Sequence, residues 1–318
     1  MEFKVTGLDD TITNDGTAAN AKGGTERMKE ELMSRLPEHM KREFNIICSR
    51  VREVPEDKKN ILWLHDLWND PEAMHLREEG SIDRFNKLVF VSNYQFQTYH
   101  MGHGVPYNKS IVLRNAIEVF EEHEKPKDDQ IRLIYHTTPH RGLELLVPVF
   151  EHLYQSYGDR IVLDVYSSFD IYGWPQRNEP YEQLFEQCRQ HPGINYHGTV
   201  SNEEIREALK KSHIFAYPSI WMETSCIAAI EAMSAGCAVV CPNYGALPET
   251  TGGLATVYPW SEDTNYHANQ FANVLKVVID NFWHDGLQGK LKFTKTYADN
   301  LYNWDTRIEE WIALLRSL

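Results

Sequence analysis

Glu223 and Glu231 are the residues of this chain whose type and spacing most directly suggest chemistry. They frame the segment Tyr217 to Gly253, in which an apolar run ends at Pro218 and a short loop carries Glu223. Thr224 or Ser225 can then cap a helix running through Ile227, Ile230, Ala232 and Met233. Gly236 suits the left-handed position that ends such a helix. On one continuous helix the two carboxylates would stand about 80° apart. With Glu223 just before the helix, both can face one ligand end-on. The backbone N–H groups of Thr224, Ser225, Cys226 and Ile227 would be first-turn donors suited to polyol oxygens or a phosphate, and a carboxylate beside them can accept two sugar hydroxyls.

The elements that must hold these groups follow from short apolar runs rich in β-branched residues. They recur at 44–48, 61–64, 88–91 and 111–113, then at 131–135, 161–166, 194–197, 214–217, 238–241 and 254–257. Several are continuous rather than alternating, as in strands covered on both faces, and helical segments between them imply parallel sheets with right-handed crossovers. The class is α/β. The segment EVFEEHEKPKDDQ, 118–130, has few apolar residues and reads as an interdomain linker that joins neither core. Four strands before it and six after it give two doubly wound sheets, the first opened by a polar stretch at 9–22. A ligand site is expected at carboxyl ends of strands, in a cleft between the sheets. Near the end, Trp304, Ile308, Trp311, Ile312 and Leu315 are spaced for one apolar helix face.

Composition narrows the function classes. With 318 residues, 42% hydrophobic and 25% charged, the chain is an ordinary globular protein, of two domains or of one large α/β domain. A net charge of −14, most of it in the second half, argues against a nucleic-acid partner. Any anionic ligand of that half must be held by local donors. Cys48, Cys188, Cys226, Cys237 and Cys241 read as reduced, buried thiols of a cytoplasmic protein; Cys237 and Cys241 lack the second pair a metal site needs. No apolar run is long enough to span a membrane. Met28, Leu32, Leu36 and Met40, with Lys41 and Arg42, leave open a peripheral membrane face at 25–44, although Pro37 interrupts it and a core helix is the alternative.

The Glu223 segment resembles the signature of the retaining glycosyltransferases of family 4, which have the GT-B fold. Its parts are Glu223, Glu231, Ala232-Met233, Ala235-Gly236, Val239-Val240 and the turn Gly245-Ala246-Leu247-Pro248-Glu249. Other pieces fall in the family's order. Ala21-Lys22-Gly23-Gly24-Thr25-Glu26-Arg27 is similar to its amino-terminal Gly-Gly turn, where N–H groups approach a diphosphate or acceptor; a Walker loop's Gly-Lys-Ser/Thr is missing. Tyr135-His136-Thr137-Thr138-Pro139-His140-Arg141-Gly142-Leu143 resembles the turn with the family's basic residue, at Arg141. His136 stands where a second cation is usual. His65 matches a strand-end histidine, Ser92-Asn93 a strand-end serine, Arg114-Asn115-Ala116-Ile117 a Pro-Asn-Gly-Ile turn, and Gly198-Thr199-Val200 a turn that reads the nucleotide base. The insertion 170–178, with Tyr172 and Trp174, either stacks on a base or covers the sheet.

The resemblance implies two Rossmann-like domains, 1–118 plus 294–318 on the acceptor side and 119–293 on the donor side, with a terminal crossover helix. It implies a retaining, metal-independent transfer from a nucleotide diphosphate sugar, UDP among the candidates, to a glycan or lipid-linked hydroxyl, with no cofactor. Arg141 would neutralise the leaving diphosphate; for the second phosphate charge His136 is only partly charged near neutrality, Thr137 and Thr138 could donate hydroxyls, and Arg114 could reach in if the domains close. Glu223 would hold the sugar hydroxyls, Glu231 the ribose, and His65 and Asp66 the sugar or acceptor. A silent nucleotide-sugar binding module and a GT-B sugar epimerase are the alternatives.

Overall fold

The computed structural model describes residues 13, 14, 16–18 and 21–318. By its internal contacts the chain divides into two units, Met1–Ala116 with Trp304–Leu318, and Ile117–Asn303. The polar stretch at 9–22 lies partly outside the described residues.

In the first unit, helices α1 (Gly24–Arg35) and α2 (Glu38–Glu43) lead into β1 (Phe44–Cys48), β2 (Lys59–Leu64), β3 (Lys87–Phe90) and β4 (Ser110–Val112). The strands form a parallel sheet in the order β1-β2-β3-β4. Helix α3 (Asn93–His103) joins β3 to β4, its first turn capped by Ser92 Oγ, which accepts from Gln95 N–H. Between β2 and β3 the chain makes two 3-10 turns, Pro71–Arg77 and Ile82–Arg84, instead of a crossover helix. Asp70 caps the first, with Pro71 at its start, and Gly80 at φ 77° bends the chain before the second. Pro37 separates α1 from α2, and Met28, Leu32, Leu36 and Met40 are all buried. The apolar face weighed as a membrane contact is therefore part of this unit's own core. No helix among the described residues is long and apolar enough to cross a membrane.

The second unit runs through β5 (Ile131–Tyr135), α4 (Leu143–Tyr157), β6 (Ile161–Val165), α5 (Glu182–Gln190), β7 (Ile194–Tyr196), α6 (Asn202–Lys211), β8 (Ile214–Ala216), α7 (Ile227–Ser234), β9 (Ala238–Pro242), α8 (Leu247–Thr250), β10 (Thr256–Tyr258), α9 (Thr264–Asp280) and α10 (Asp285–Leu301). Its six strands are all parallel, in the order β10-β9-β8-β5-β6-β7. The chain builds outward from β5 in one direction, then returns to its other side at β8. Loops leaving β5 and β8 thus lie side by side at a topological switch point, where open α/β sheets bind ligands.

Two boundaries differ from the sequence expectation. Residues 118–130 do not hang between cores: Ile117 and Phe120 are buried in the second unit's core. Phe120 N–H donates to Ser234 Oγ, Lys295 Nζ donates to Phe120 O, and the Arg206 guanidinium lies 3.9 Å over the Phe120 ring. One aromatic residue and a few backbone bonds suffice to dock a strap whose composition is otherwise polar. The return to the first unit comes at Trp304 rather than at residue 294, because α10 belongs to the second unit and packs on α7. Helix α11 (Trp304–Ser317) then buries Trp304, Trp311, Leu314 and Leu315, with Trp311 edge-on to Trp63 at 4.9 Å. The result is an α/β fold with two Rossmann-like parallel sheets and a returning terminal helix, as the sequence predicts.

Candidate functional site

At the switch point the loops after β5 and β8 are interlocked. After β5 the chain makes a 3-10 turn, Pro139–Arg141, that ends at Gly142 with φ 129°. A Cβ there would fall 2.3 Å from Pro218 O, so only glycine lets the two backbones meet. Ile220 N–H donates to Arg141 O at 3.2 Å, stitching the loops together. This contact brings Arg141 and Glu223 side by side although 82 residues separate them.

Arg141 spreads its donors over three directions. Nε donates to Thr138 Oγ1 at 3.2 Å and Nη1 to Glu223 Oε1 at 2.5 Å, while Nη2 makes no hydrogen bond among the described residues. The Tyr217 hydroxyl donates to the same Oε1. One carboxylate oxygen is therefore held by two donors, and the guanidinium keeps one edge for a ligand. Glu223 is 4% exposed, whereas the Arg141 side chain retains 22% of its surface. Burial pushes the Tyr217 phenol far up, with Glu223 adding to it, so Tyr217 remains a donor. Burial works against the charge on Arg141, but the Glu223 carboxylate outweighs it and holds that pKa well above the usual value.

The Glu223 backbone is fixed from the other side. Ala246 N–H donates to Glu223 O at 2.8 Å, and Gly245, at φ 59°, lies so close that a Cβ would meet Glu223 N and O at 2.7 Å. This explains the Gly245-x-x-Pro248-Glu249 turn physically: its glycine seats the loop of the first carboxylate. Helix α7 starts later than predicted. Its N-cap is Cys226, in extended conformation, and neither Thr224 nor Ser225 caps it. The first-turn N–H groups are thus those of Ile227, Ala228 and Ala229, because the chain must first turn away from the Gly245 contact. Glu231 lies within α7 and is 3% exposed. Gly236 follows α7 at φ 74°, as expected.

His136 is half-buried with its ring 4.9 Å from Phe215, and Thr138 is buried beside Arg141 with its carbonyl accepting from the Tyr135 hydroxyl. Thr137 lies between them in the same turn. His140 stacks on Phe169 at 5.2 Å and 17°, and meets Trp221 edge-on. Burial, then the fields of Arg141 and Arg177, lower its pKa to about 4, so His140 is neutral near pH 7. Gly198, at φ 66°, with Thr199 and Val200, follows β7 at the sheet edge, two strands from β5 or about 10 Å by strand spacing. Sequence reasoning did not pick out Tyr217 or Arg177. A tyrosine closing the apolar run before Pro218 was the available signal for the first.

The first unit gathers its own polar cluster at the carboxyl ends of β1 and β2. Gly23 is the N-cap of α1 and Gly24 its first residue. Ser49, at φ 54°, is the one non-glycine residue with positive φ among the described residues. Its hydroxyl accepts from the N–H groups of His65 and Asp66, at 2.8 and 3.2 Å. Burial, then Arg50 and Lys29, lower the His65 pKa to about 3, leaving a neutral imidazole. Burial lifts Asp66 to about 6 against the pull of Arg50, whose Nε lies 3.9 Å away. Gln95 Nε2 and the Tyr99 hydroxyl both donate to Asp66 O, fixing the loop. Among the described residues no group of three or more His, Cys, Asp or Glu side chains is arranged to hold a metal ion.

Residues 115–258, which carry this switch point, match the family Glycosyl transferases group 1. One component of the human phosphatidylinositol N-acetylglucosaminyltransferase is 30% identical over 118 residues, 37% of this chain and 22% of that protein. The Escherichia coli O-antigen chain mannosyltransferase B is 32% identical over 103 residues, 32% of this chain and 26% of that protein. The chain thus spans about a quarter of the length of these curated relatives. Among solved structures, a glycosyltransferase from Rickettsia africae ESF-5 superposes with a TM-score of 0.68 at 15% identity, over 95% of this chain and 84% of that one. Anabaena Alr3699/HepE in complex with UDP-glucose gives 0.64 at 14% identity, over 82% and 73%. The fold is GT-B.

Proposed function

We propose, from a chain whose residues 115–258 match the glycosyl transferases group 1, that this protein moves a sugar from a nucleoside diphosphate sugar to a hydroxyl of a glycan or lipid-linked acceptor, with retention at the anomeric carbon and without a metal ion. The observation that carries the reading is the Arg141–Glu223 pair at the switch point, a guanidinium edge next to a carboxylate that keeps Oε2 for a ligand. A phosphate suits the first and a sugar hydroxyl the second. A UDP-sugar is the first donor to try, since the Anabaena neighbour was solved with UDP-glucose.

In this reading the C–O bond between sugar and diphosphate breaks while negative charge builds on the departing oxygen. Arg141 and the first-turn N–H groups of α7 stabilise that charge, each well-placed donor contributing about 3–4 kcal/mol. Glu223 faces the positive character of the ring. The departing phosphate oxygen takes the acceptor's proton as the acceptor oxygen bonds to the anomeric carbon on the same face. In the first unit, His65 and Asp66 are the candidates for holding the acceptor. The test is a panel of UDP-, GDP- and ADP-sugars assayed with saccharide acceptors in excess EDTA, with the product anomer read by NMR. Release of nucleoside diphosphate with an unchanged anomer is expected; a strict divalent-metal requirement or an inverted product overturns those parts of the reading.

Glu231 is assigned to the ribose hydroxyls. Glu231→Ala is expected to weaken UDP binding about ten-fold or more by calorimetry, the worth of a hydrogen bond to a charged group. Undiminished affinity would remove Glu231 from the nucleotide.

A further inference from the structure

Counting charge at the ligand end of the second sheet exposes a shortage. The loops leaving the carboxyl ends of its six strands, 136–142, 166–181, 197–201, 217–226, 243–246 and 259–263, contain two Lys or Arg residues, Arg141 and Arg177. Arg141 is paired with Glu223, so the two together offer no net charge to an anion. His140 is held neutral by its buried position beside two arginines. Within these six loops Arg177 is the one cation whose charge no carboxylate offsets, and so the one free to meet a nucleoside diphosphate bound here.

Its surroundings fit that task. Arg177 makes no ion pair and no side-chain hydrogen bond among the described residues. Its guanidinium lies 4.5 Å from the centroid of the Trp174 ring and 6.0 Å from that of Phe169. Stacking of this kind holds the plane of a guanidinium while leaving its N–H edge for a phosphate. The shelf is tied to the switch point: Phe169 stacks on His140, the neighbour of Arg141, and the Trp174 ring lies 5.2 Å from that of Tyr172. The segment is anchored at the next residue. Asn178 is 8% exposed, accepts from Phe169 N–H at 2.8 Å, and donates to Ser168 Oγ and Asp170 Oδ1 at 3.0 and 2.9 Å.

We propose that Arg177, presented by the insertion after β6, is the second phosphate-binding cation of the donor site and contacts the terminal phosphate of a nucleoside diphosphate. The inference rests on the donor reading above and goes beyond it by assigning the insertion a ligand. The experiment compares UDP and UMP binding by calorimetry for the unmodified protein, Arg177→Gln and Arg177→Lys, with GDP/GMP and ADP/AMP in parallel. Arg177→Gln is expected to lose about ten-fold or more in diphosphate affinity while monophosphate affinity stays within about two-fold, and Arg177→Lys to fall between. Unchanged diphosphate affinity in Arg177→Gln, or an equal loss for diphosphate and monophosphate, overturns the inference and leaves the donor reading standing. If the unmodified protein binds none of the three diphosphates, the donor reading itself falls, and this inference with it.

Discussion

Arg141→Ala is expected to lower kcat/KM for glycosyl transfer by about 10²–10³-fold, the cost of removing one preorganised donor from developing negative charge. It is also expected to reduce stability, because the substitution leaves the Glu223 carboxylate, 4% exposed, without its cation. Breaking one side of a buried ion pair costs roughly 3–5 kcal/mol. The lower end applies here, since Tyr217 still donates to Glu223 Oε1 and the Arg141 side chain is 22% exposed to water. The two losses separate in a double variant. Arg141→Ala with Glu223→Gln removes the orphaned charge, so the melting temperature should recover while transfer stays low. Near-normal turnover in the single variant would refute the diphosphate role. A melting temperature that the second substitution fails to raise would show that the pair is not the source of the instability.

How much of this was legible in the sequence depends on the range of the contact involved. The strands were, because sheets covered on both faces leave continuous runs such as Ile61–Leu64 and Ala238–Cys241 that need no partner to identify. The adjacency of β5 and β8 was not, because strand order is set by packing across the whole unit. Phe120 shows the same limit on a smaller scale: its segment is polar by composition, yet one ring against Arg206 and the second core fixes it in place. The start of α7 was misread because Thr224 and Ser225 have good capping side chains, whereas the start is decided by Gly245 and Ala246, which hold the Glu223 backbone from another loop. Arg141 and Glu223 could be named from a motif, but their pairing, and the Tyr217 hydroxyl that shares it, required the fold.

Gly245→Ala tests that the two carboxyl-end loops act as a unit. At φ 59° an alanine is strained at once, and its Cβ would stand 2.7 Å from both Glu223 N and Glu223 O, where the neighbour is backbone and cannot swing aside. Strain of this kind costs about 1–3 kcal/mol. For a unit of this size that corresponds to a fall of roughly 2–4 °C in melting temperature per kcal/mol. The chain can relieve the clash by moving the Glu223 loop, which breaks the Ala246 N–H bond to Glu223 O and shifts the carboxylate away from Arg141 and Tyr217. A displacement of about 1 Å at a reacting centre is enough for a 10²-fold loss of rate, so transfer should fall far more than stability does. Gly289→Ala is the control: it sits inside α10 with nothing beyond its own helix backbone within 4 Å of the added Cβ, and should leave transfer unchanged while raising stability by up to about 1 kcal/mol. If Gly245→Ala melts lower but turns over at the parent rate, the position of Glu223 does not govern the reaction; if its melting is unchanged, the loops are not locked together as this geometry requires.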